Sequence, residues 1–407
     1  MNTIKELDVL EGLVQGLKSS LSDAERIGVL RNEPLVEEYF RDHPDSWLGF
    51  GEIEQVVILS LIATGQAGRF FPSLKSDGLA KLISDLIPVE RFYASIGGIV
   101  GYHFRMLELL KAPSNEKRER VKYLAPRGTD ISEENPPVWD AVWTGIAKLP
   151  LMGEIYPVGG AADRLRLYDE RSGVALPAAR LPFLGKSLLE HMIADLQARE
   201  YLYYKVTGAQ ITTPVAMMTS AEKHNDHHIR AICEENGWFG RGKESFRLFS
   251  QPSVPTINKA GQWCLQDSME LFLKPGGHGV IWRLAQEEGV FDWFFAQGRT
   301  KALVRQINNP IAGIDYGLLA FTGMGLKGDK IFGFASCPRQ VKASEGVNIV
   351  IESETQGKFS YTLTNIEYCD FKKYGIDDQP EHPRSHYSKF PSNTNILFDP
   401  IERDRDL

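Results

Sequence analysis

The sequence predicts an α-helical N-terminal region, residues 1–149, followed by an α/β domain over residues 150–400, and three observations predict it. Apolar residues near the start recur at three- and four-residue steps, the period of a helix. After Glu154 short apolar strands alternate with helical stretches, the pattern of an α/β domain. Between the two lies a glycine-rich turn, Gly153 to Leu167, in which an apolar run ends at Gly159-Gly160.

In the first region Ile4, Leu7, Leu10, Val14, Leu17 and Leu21 form one apolar stripe. Ser22-Asp23-Ala24-Glu25 reads as a capping box that opens a second helix. Further helices are expected near Leu35–Phe40, Glu52–Thr64, Leu79–Ile87 and Val89–Leu110. The run Glu116-Lys117-Arg118-Glu119-Arg120 reads as a solvated helix face. Pro136-Pro137 marks a connection, and Val138–Lys148 is the last helix. The expected role of residues 1–149 is support or partner docking.

In the second region strands are expected at Glu154–Val158, Pro214–Thr219, Ser245–Phe249, Lys301–Ile307, Ile331–Ala335, Val347–Ile351 and Phe359–Leu363. Ser187-Leu188-Leu189-Glu190 is a second capping box, and Ala221–Asn236 a helix. Ligands of open α/β sheets sit beyond the carboxyl ends of the strands. At those ends stand Gly159-Gly160, Thr219-Ser220, Gln251-Pro252 and Asn308-Asn309. Glycines after a strand let backbone approach a phosphate, and Arg164 adds a planar cation that grips phosphate at two points. The turn is neither a Walker loop nor a G-x-G-x-x-G fingerprint.

With 407 residues the chain has room for two or three domains. A net charge of −7 argues against a general nucleic-acid or anionic-membrane binder, so any basic site is local. Four scattered cysteines make neither a zinc knuckle nor a disulfide framework, which fits a reducing compartment. No apolar run approaches the length of a membrane span, and Met1 to Glu6 does not begin a signal peptide.

Several separated stretches together resemble one family, the UDP-sugar pyrophosphorylases. They are Val158–Leu165, Met218-Thr219-Ser220, Phe249-Ser250-Gln251-Pro252, Lys274–Gly279, Gln306-Ile307-Asn308-Asn309, Ser344-Glu345-Gly346-Val347, Asn365–Tyr368 and Asn393-Thr394-Asn395. The resemblance spans roughly residues 150–400 and is greatest to the plastid-type UDP-glucose pyrophosphorylases. It implies a nucleotide-diphospho-sugar transferase fold, GT-A-like and Rossmann-like, with a mixed sheet and helices on both faces. It also implies joining of UTP and a sugar 1-phosphate to give a UDP-sugar and pyrophosphate, with Mg²⁺ present. Gly159 and Gly160 would lie along the nucleotide, Arg164 would face the leaving phosphates, and Gln251, Gly277 and His278 would meet the uracil. Lys342 would face phosphate, Asn308 takes the place of a metal-binding aspartate, and Asp315 would supply the missing charge. Glu367 would hold sugar hydroxyls, with Asn393 and Asn395 lining the sugar pocket.

The chemistry asks for the same residue types on its own terms. In-line attack at a phosphorus requires positioning and neutralisation of anions. A pyrimidine needs an amide donor–acceptor such as Gln251, and a sugar needs a carboxylate and amides. Two departures stand out: Asp163 and Pro177-Ala178 occupy places where the family usually has Thr and Pro-Lys, leaving Arg180 or Lys186 to substitute, and Asn308 is neutral. Magnesium favours carboxylates over amides. Three readings therefore stay open: glucose 1-phosphate as substrate, N-acetylglucosamine or galactose 1-phosphate instead, and a UDP-sugar-binding protein with weak or no turnover. Relatives usually continue beyond the position of Asn395, so a fragment or shortened form is expected, in cytoplasm or plastid stroma. His224, His227 and His228 read as a wet helix face, and Trp282, Phe291, Trp293, Phe294 and Phe295 as core.

Overall fold

A computed structural model describes residues 3–43, 49–70, 78–111, 121–160, 165–267, 269–328, 332–355 and 357–401. In chain order the helices are α1 Thr3–Ser19, α2 Asp23–Arg31, α3 Pro34–Asp42, α4 Glu52–Ala63, α5 Ala67–Phe70, α6 Gly78–Phe92, α7 Gly98–Lys111, α8 Pro136–Ala147, α9 Leu188–Thr207, α10 Asn225–Glu235, α11 Ile281–Glu287, α12 Val290–Ala296, α13 Gly317–Lys327 and α14 Phe371–Tyr374. The strands are β1 Val121–Leu124, β2 Met152–Pro157, β3 Pro182–Phe183, β4 Lys186–Ser187, β5 Val215–Ser220, β6 Phe246–Gln251, β7 Ser253–Pro255, β8 Leu265–Asp267, β9 Glu270–Leu271, β10 Leu273–Pro275, β11 Lys301–Arg305, β12 Gly333–Cys337, β13 Val347–Thr355, β14 Lys358–Ile366 and β15 Ser392–Pro400.

The chain divides into two compact units, and not at the expected boundary of 149/150. One unit joins Met1–Pro113 to Pro252–Gly276; the other joins Ser114–Gln251 to Gly277–Leu407. β1 and α8 thus belong with the α/β unit, while a segment from the middle of the chain completes the helical one.

In the helical unit, Leu10, Val14 and Leu17 of α1 are buried as their spacing predicts and Leu13 joins them, whereas Leu21 lies beyond the helix and is exposed. α4 buries eight consecutive residues, Val56–Ala63, and is the central helix, apolar on every side. At α2 the Ser22 hydroxyl accepts from Glu25 N at 3.2 Å, while the Glu25 carboxylate takes Leu21 N rather than the cap's own N–H. The break expected at Pro88 does not occur: α6 runs through it and ends at Phe92, and Gly97 and Gly98, both at positive φ, precede α7. Arg26 and Glu90 form a buried ion pair; Glu90 also accepts from Ile99 N at 2.7 Å, and Arg26 donates to Ala94 O at 2.9 Å. Burial holds the Glu90 carboxyl above its ordinary range despite these partners.

The α/β unit is built on a nine-stranded mixed sheet, β1-β13-β15-β11-β2-β5-β6 in order, with β12 on β15 and β14 on β13. β11, β2, β5 and β6 are mutually parallel, and β15 is antiparallel to β11. Helices cover both faces. Leu188, Leu189, Met192 and Ile193 of α9 and Ile229 and Ile232 of α10 pack with Tyr156, Val215 and Met217. On the other face, Gly153 of β2 makes room for α12: a Cβ there would lie 2.6 Å from the Phe294 ring. Pro136 and Pro137 are the first turn of α8 rather than a connection, with Asn135 Oδ1 capping Val138 N at 3.0 Å. The second capping box stands as read: Ser187 N donates to Glu190 at 2.7 Å and Glu190 N to Ser187 Oγ at 3.3 Å. The charged run 116–120 lies outside the described residues.

Beneath the strand tips the sequence hides a buried charge network. Glu154 of β2 meets Arg199 at 2.6 Å and Arg305 at 3.9 Å, Arg199 lies 3.1 Å from Asp195, and Arg305 also pairs with Asp195. Tyr156 donates to the Glu154 carboxylate. Two carboxylates balance two guanidinium groups, which is what burial of charge requires.

Candidate active site at one edge of the sheet

Four parallel strands run in register toward one edge of the sheet. Val304 of β11 is level with Ile155 of β2, Ile155 with Ala216 of β5, and Ala216 with Arg247 of β6. Four residues further on stand Asn308 and Gly159, in the turns that follow β11 and β2, and Ser220 and Gln251, the paired last residues of β5 and β6. Antiparallel β15 brings its beginning to the same edge, because Ile396 lies opposite Arg305. Asn393 and Asn395 therefore stand beside the end of β11.

The Gly159 turn is held by side chains from its neighbours. Ser220 Oγ donates to Gly159 O at 2.8 Å, and Asn225 Nδ2 donates to Val158 O at 2.9 Å. Asn225 Oδ1 in turn accepts from Ser220 N at 3.0 Å, and Thr219 Oγ1 donates to Asp226 at 2.8 Å. Gln251, 5% exposed, spans two candidate residues: its Nε2 donates to Gly159 O at 3.3 Å and its Oε1 accepts from Gly277 N at 3.2 Å. A primary amide has two N–H groups and two lone pairs on its oxygen, so among the described residues one of each is left for a ligand. Gly159, Gln251 and Gly277 are thus one hydrogen-bonded group, with Gly160 and Gly277 exposed beside it. Arg164 and the His278 side chain lie outside the described residues.

The carboxylate-and-amide group is equally local. Val347, at the start of β13, pairs with Ser392 on one side and Ile366 on the other. Asn393 N donates to Gly346 O at 2.9 Å, and the Glu367 carboxylate lies over Gly346, 3.4 Å from where a Cβ would be. Asn393 Nδ2 donates to Asn395 Oδ1 at 3.0 Å, and Asn395, at φ 56°, donates its N–H to Asn393 Oδ1 at 2.9 Å. Lys342 sits in a tight turn at φ 65° before β13. A latch fixes that turn: buried Arg339 grips Asp378 with two bonds of 3.0 Å, and Asp378 also accepts from Lys342 N at 2.7 Å and Ser388 Oγ at 2.6 Å. Burial works to raise the Asp378 carboxyl, but the Ser388, Lys342 and Arg339 donors outweigh it and hold the group below its ordinary range.

The two residues expected to hold metal differ in their surroundings. Asn308 is exposed at the strand edge. Asp315 serves a helix start: its Oδ1 accepts from Gly317 N at 2.7 Å before α13, and it lines a cavity of about 440 Å³ with Trp139, Trp143, Asp195 and Arg199. None of Gly159, Gln251 and Gly277 lines that cavity. Among the described residues no group of three or more His, Cys, Asp or Glu side chains could hold a metal ion. A neutral exposed amide and a carboxylate already bonded to backbone do not fit a resident metal. Arg180, a substitute for the missing lysine, is engaged by Glu235 at 2.8 and 2.9 Å. The sequence reading missed Asn225 and the Arg339–Asp378 latch, since a lone asparagine and a distant Arg–Asp pair carry no local pattern.

Comparison with known proteins bears on this edge. Residues 186–340 match the family described as UTP–glucose-1-phosphate uridylyltransferase. The chain is 43% identical over 366 residues to UTP–glucose-1-phosphate uridylyltransferase 3, chloroplastic, of Arabidopsis thaliana, covering 85% of this chain and 41% of that protein. The chain thus spans about two-fifths of the length of that relative. Its fold resembles the uridine diphosphate N-acetylglucosamine pyrophosphorylase of Trypanosoma brucei, with a TM-score of 0.60 and 18% identity over 87% of this chain and 68% of the other. It also resembles a putative UDP-N-acetylglucosamine pyrophosphorylase from Entamoeba histolytica, with a TM-score of 0.55 and 16% identity over 69% and 66%. Among the described residues no helix is long and apolar enough to cross a membrane. With its glycine, amide and carboxylate motifs gathered at one sheet edge and this identity over most of its length, the chain belongs to the UTP–glucose-1-phosphate uridylyltransferase family and is similar to its chloroplast type.

Proposed function

We propose that the chain joins UTP and glucose 1-phosphate to give UDP-glucose and pyrophosphate, on a GT-A-like, nucleotide-diphospho-sugar transferase framework. A phosphate oxygen of the sugar phosphate attacks the α-phosphorus; the bond to the oxygen bridging to the β-phosphorus breaks, and pyrophosphate leaves with that electron pair. Such a reaction needs placement and charge neutralisation rather than covalent help from the protein. The single observation that carries this reading is the ordered edge: amide and glycines at β6 and β2, Asn308 at β11, then Asn393, Asn395 and Glu367. That order matches a molecule with a pyrimidine at one end, phosphates in the middle and a hexose at the other.

In this reading the free N–H and lone pair of Gln251, with the Gly277 backbone, meet the uracil. Gly159 and Gly160 admit the nucleotide, Arg164 and Lys342 face phosphates, and Glu367, Asn393 and Asn395 take the sugar hydroxyls. Mg²⁺ would come with UTP as part of the substrate and would supply charge neutralisation at the phosphates. The name of the relative, chloroplastic, supports the plastid over the cytoplasm as the compartment. A second reading, UDP-sugar binding with little turnover, draws on the neutral Asn308 and on Arg180 being engaged by Glu235. Pyrophosphate release from UTP with glucose 1-phosphate, N-acetylglucosamine 1-phosphate or galactose 1-phosphate tests the proposal alongside thermal shift with UDP-glucose. Turnover with glucose 1-phosphate supports it; stabilisation by UDP-glucose without pyrophosphate selects the second reading; neither effect removes both.

A further inference from the structure

Within the α/β unit, the cavity of about 440 Å³ is lined by α8, by α9 and by the loop that leads into α13. Its walls are fixed by close backbone approach. A Cβ on Gly145 of α8 would collide with Leu319 O, and one on Gly323 of α13 with Ala141 O, so the two helices touch main chain to main chain. The loop is pressed on α9 in the same way, since a Cβ on Gly313 would collide with the Asp195 carboxylate. A preformed cavity of this size takes a small molecule.

The lining is more aromatic than packing requires. On α8, Val138, Val142 and Ile146 are buried in the core, whereas Trp139 and Trp143, one turn apart, stay 40% and 56% exposed. Trp139 lies against Tyr316 with ring centroids 5.0 Å apart, and Leu202 and Ile314, both exposed, border the same cavity. Indole and phenol faces left open beside a cavity are a surface for a cation or for an apolar body.

Charge decides between them. Three charged side chains line the cavity, Asp195, Arg199 and Asp315. Arg199 meets Asp195 at 3.1 Å and Glu154 at 2.6 Å, and Asp195 also pairs with Arg305, so that group is neutral within itself. Asp315 accepts from Gly317 N, and among the described residues no Lys or Arg pairs with it. Two more carboxylates stand near the Tyr316 hydroxyl, which donates to Ser132 O at 3.1 Å: burial first, then Glu134, Asp315 and Asp130, hold that phenol above its ordinary range. An anion would be repelled here, and a neutral molecule would leave Asp315 uncompensated. A cation suits both the ring faces and the carboxylate.

We infer that this cavity is a second ligand site, for a small organic cation of the quaternary or alkylated ammonium class, held by Trp139, Trp143 and Tyr316 and countered by Asp315. It goes beyond the proposed reaction, whose substrates are anions, and it is read by binding rather than turnover. Its rivals are a pocket for any apolar molecule and a sugar site.

The test titrates the whole chain with choline and with 3,3-dimethylbutan-1-ol, which has the same shape without the charge, followed by calorimetry and tryptophan fluorescence. Choline should saturate, and the neutral analogue should bind about tenfold more weakly. Trp143→Ala should weaken choline about tenfold. Asp315→Asn keeps an acceptor for Gly317 N and deletes only the charge; it should weaken choline about fivefold and leave the neutral analogue unmoved. Should Trp143→Ala fail to fold, Asp315→Asn decides alone. Choline binding that neither substitution weakens puts the cation elsewhere and overturns the inference. Equal affinity for the two compounds, saturation by maltose in place of choline, or no saturable response to choline overturns it as well.

Discussion

The Gly159 carbonyl and the Gln251 amide are locked together with no spare room: Nε2 donates to that oxygen at 3.3 Å and lies 2.5 Å from where a Gly159 Cβ would stand. The same Cβ would be 2.8 Å from the Thr219 carbonyl carbon and oxygen, and backbone of a central strand cannot step aside.

Gly159→Ala should therefore cost both stability and nucleotide affinity. Overpacking of this kind costs about 1–3 kcal/mol, and the displaced Gln251 amide should weaken UTP binding by about tenfold or more. Calorimetry of unfolding and UTP titration measure the two effects. An alanine variant that binds UTP like the parent would show that Gln251 is not held where the nucleotide needs it.

Asn225→Ala should destabilise the α/β unit without touching a substrate. It leaves Val158 O and Ser220 N, both deep in the turn's support, without their 2.9 and 3.0 Å partners. Two orphaned backbone groups cost about 2–4 kcal/mol together, read out as a Tm lowered by roughly 5–10 °C. A Tm within 1–2 °C of the parent, an interval of less than about 1 kcal/mol, would contradict this account.

His103 should make the helical unit weaker in mild acid, against the opposite contribution of Glu90. Burial, reinforced by Lys111, lowers His103 from 6.5 to about 4, so the unfolded chain binds the proton more readily than the folded one. The contribution of the neutral ring is complete above pH 6.5 and is lost as pH falls toward 4. At 1.36 kcal/mol per pH unit it amounts to about 3 kcal/mol. Urea unfolding between pH 7 and 4 reads this contribution as the difference between the slopes of the parent and of a His103 variant, since the carboxyls held above their ordinary range, Glu90 among them, are common to both. His103→Gln, whose oxygen can still accept from Trp263, is that variant and should lack it; an unchanged slope would place the titration elsewhere.

Asn308→Asp tests the edge between the two ligand halves. A carboxylate at this exposed tip should lower the Mg²⁺ concentration for half-maximal turnover by about three- to tenfold, since magnesium prefers charged oxygen. Asp315→Asn should leave that concentration unchanged, because its carboxylate serves Gly317 N at the start of α13. The reverse pattern would move the phosphates to the Asp315 side.

The strand tips were legible because apolar runs that end in glycine or amide residues mark strand ends whatever surrounds them. Gly159, Gln251, Asn308 and the pair Asn393 and Asn395 reached one edge for that reason. The helical unit's second segment was not legible: β7, β8, β9 and β10 are two or three residues each, too short for any period to register. Nor was Pro88 a helix end, since tertiary packing of Leu86 and Val89, both fully buried, carries α6 through it. Glu154 stood in an apolar run with no hint that Arg199 and Arg305 would meet it from α9 and β11.

The division of the helical unit between residues 1–113 and 252–276 has a consequence for biosynthesis. Trp263 and Leu271 are interior residues of that unit, so its bundle lacks part of its filling until the ribosome has moved well past residue 276. The first helices to emerge must wait, half-built, while the intervening strands β2, β5 and β6 are translated. A gene cut after codon 149 should for this reason yield a sticky, chaperone-dependent product rather than an autonomous domain.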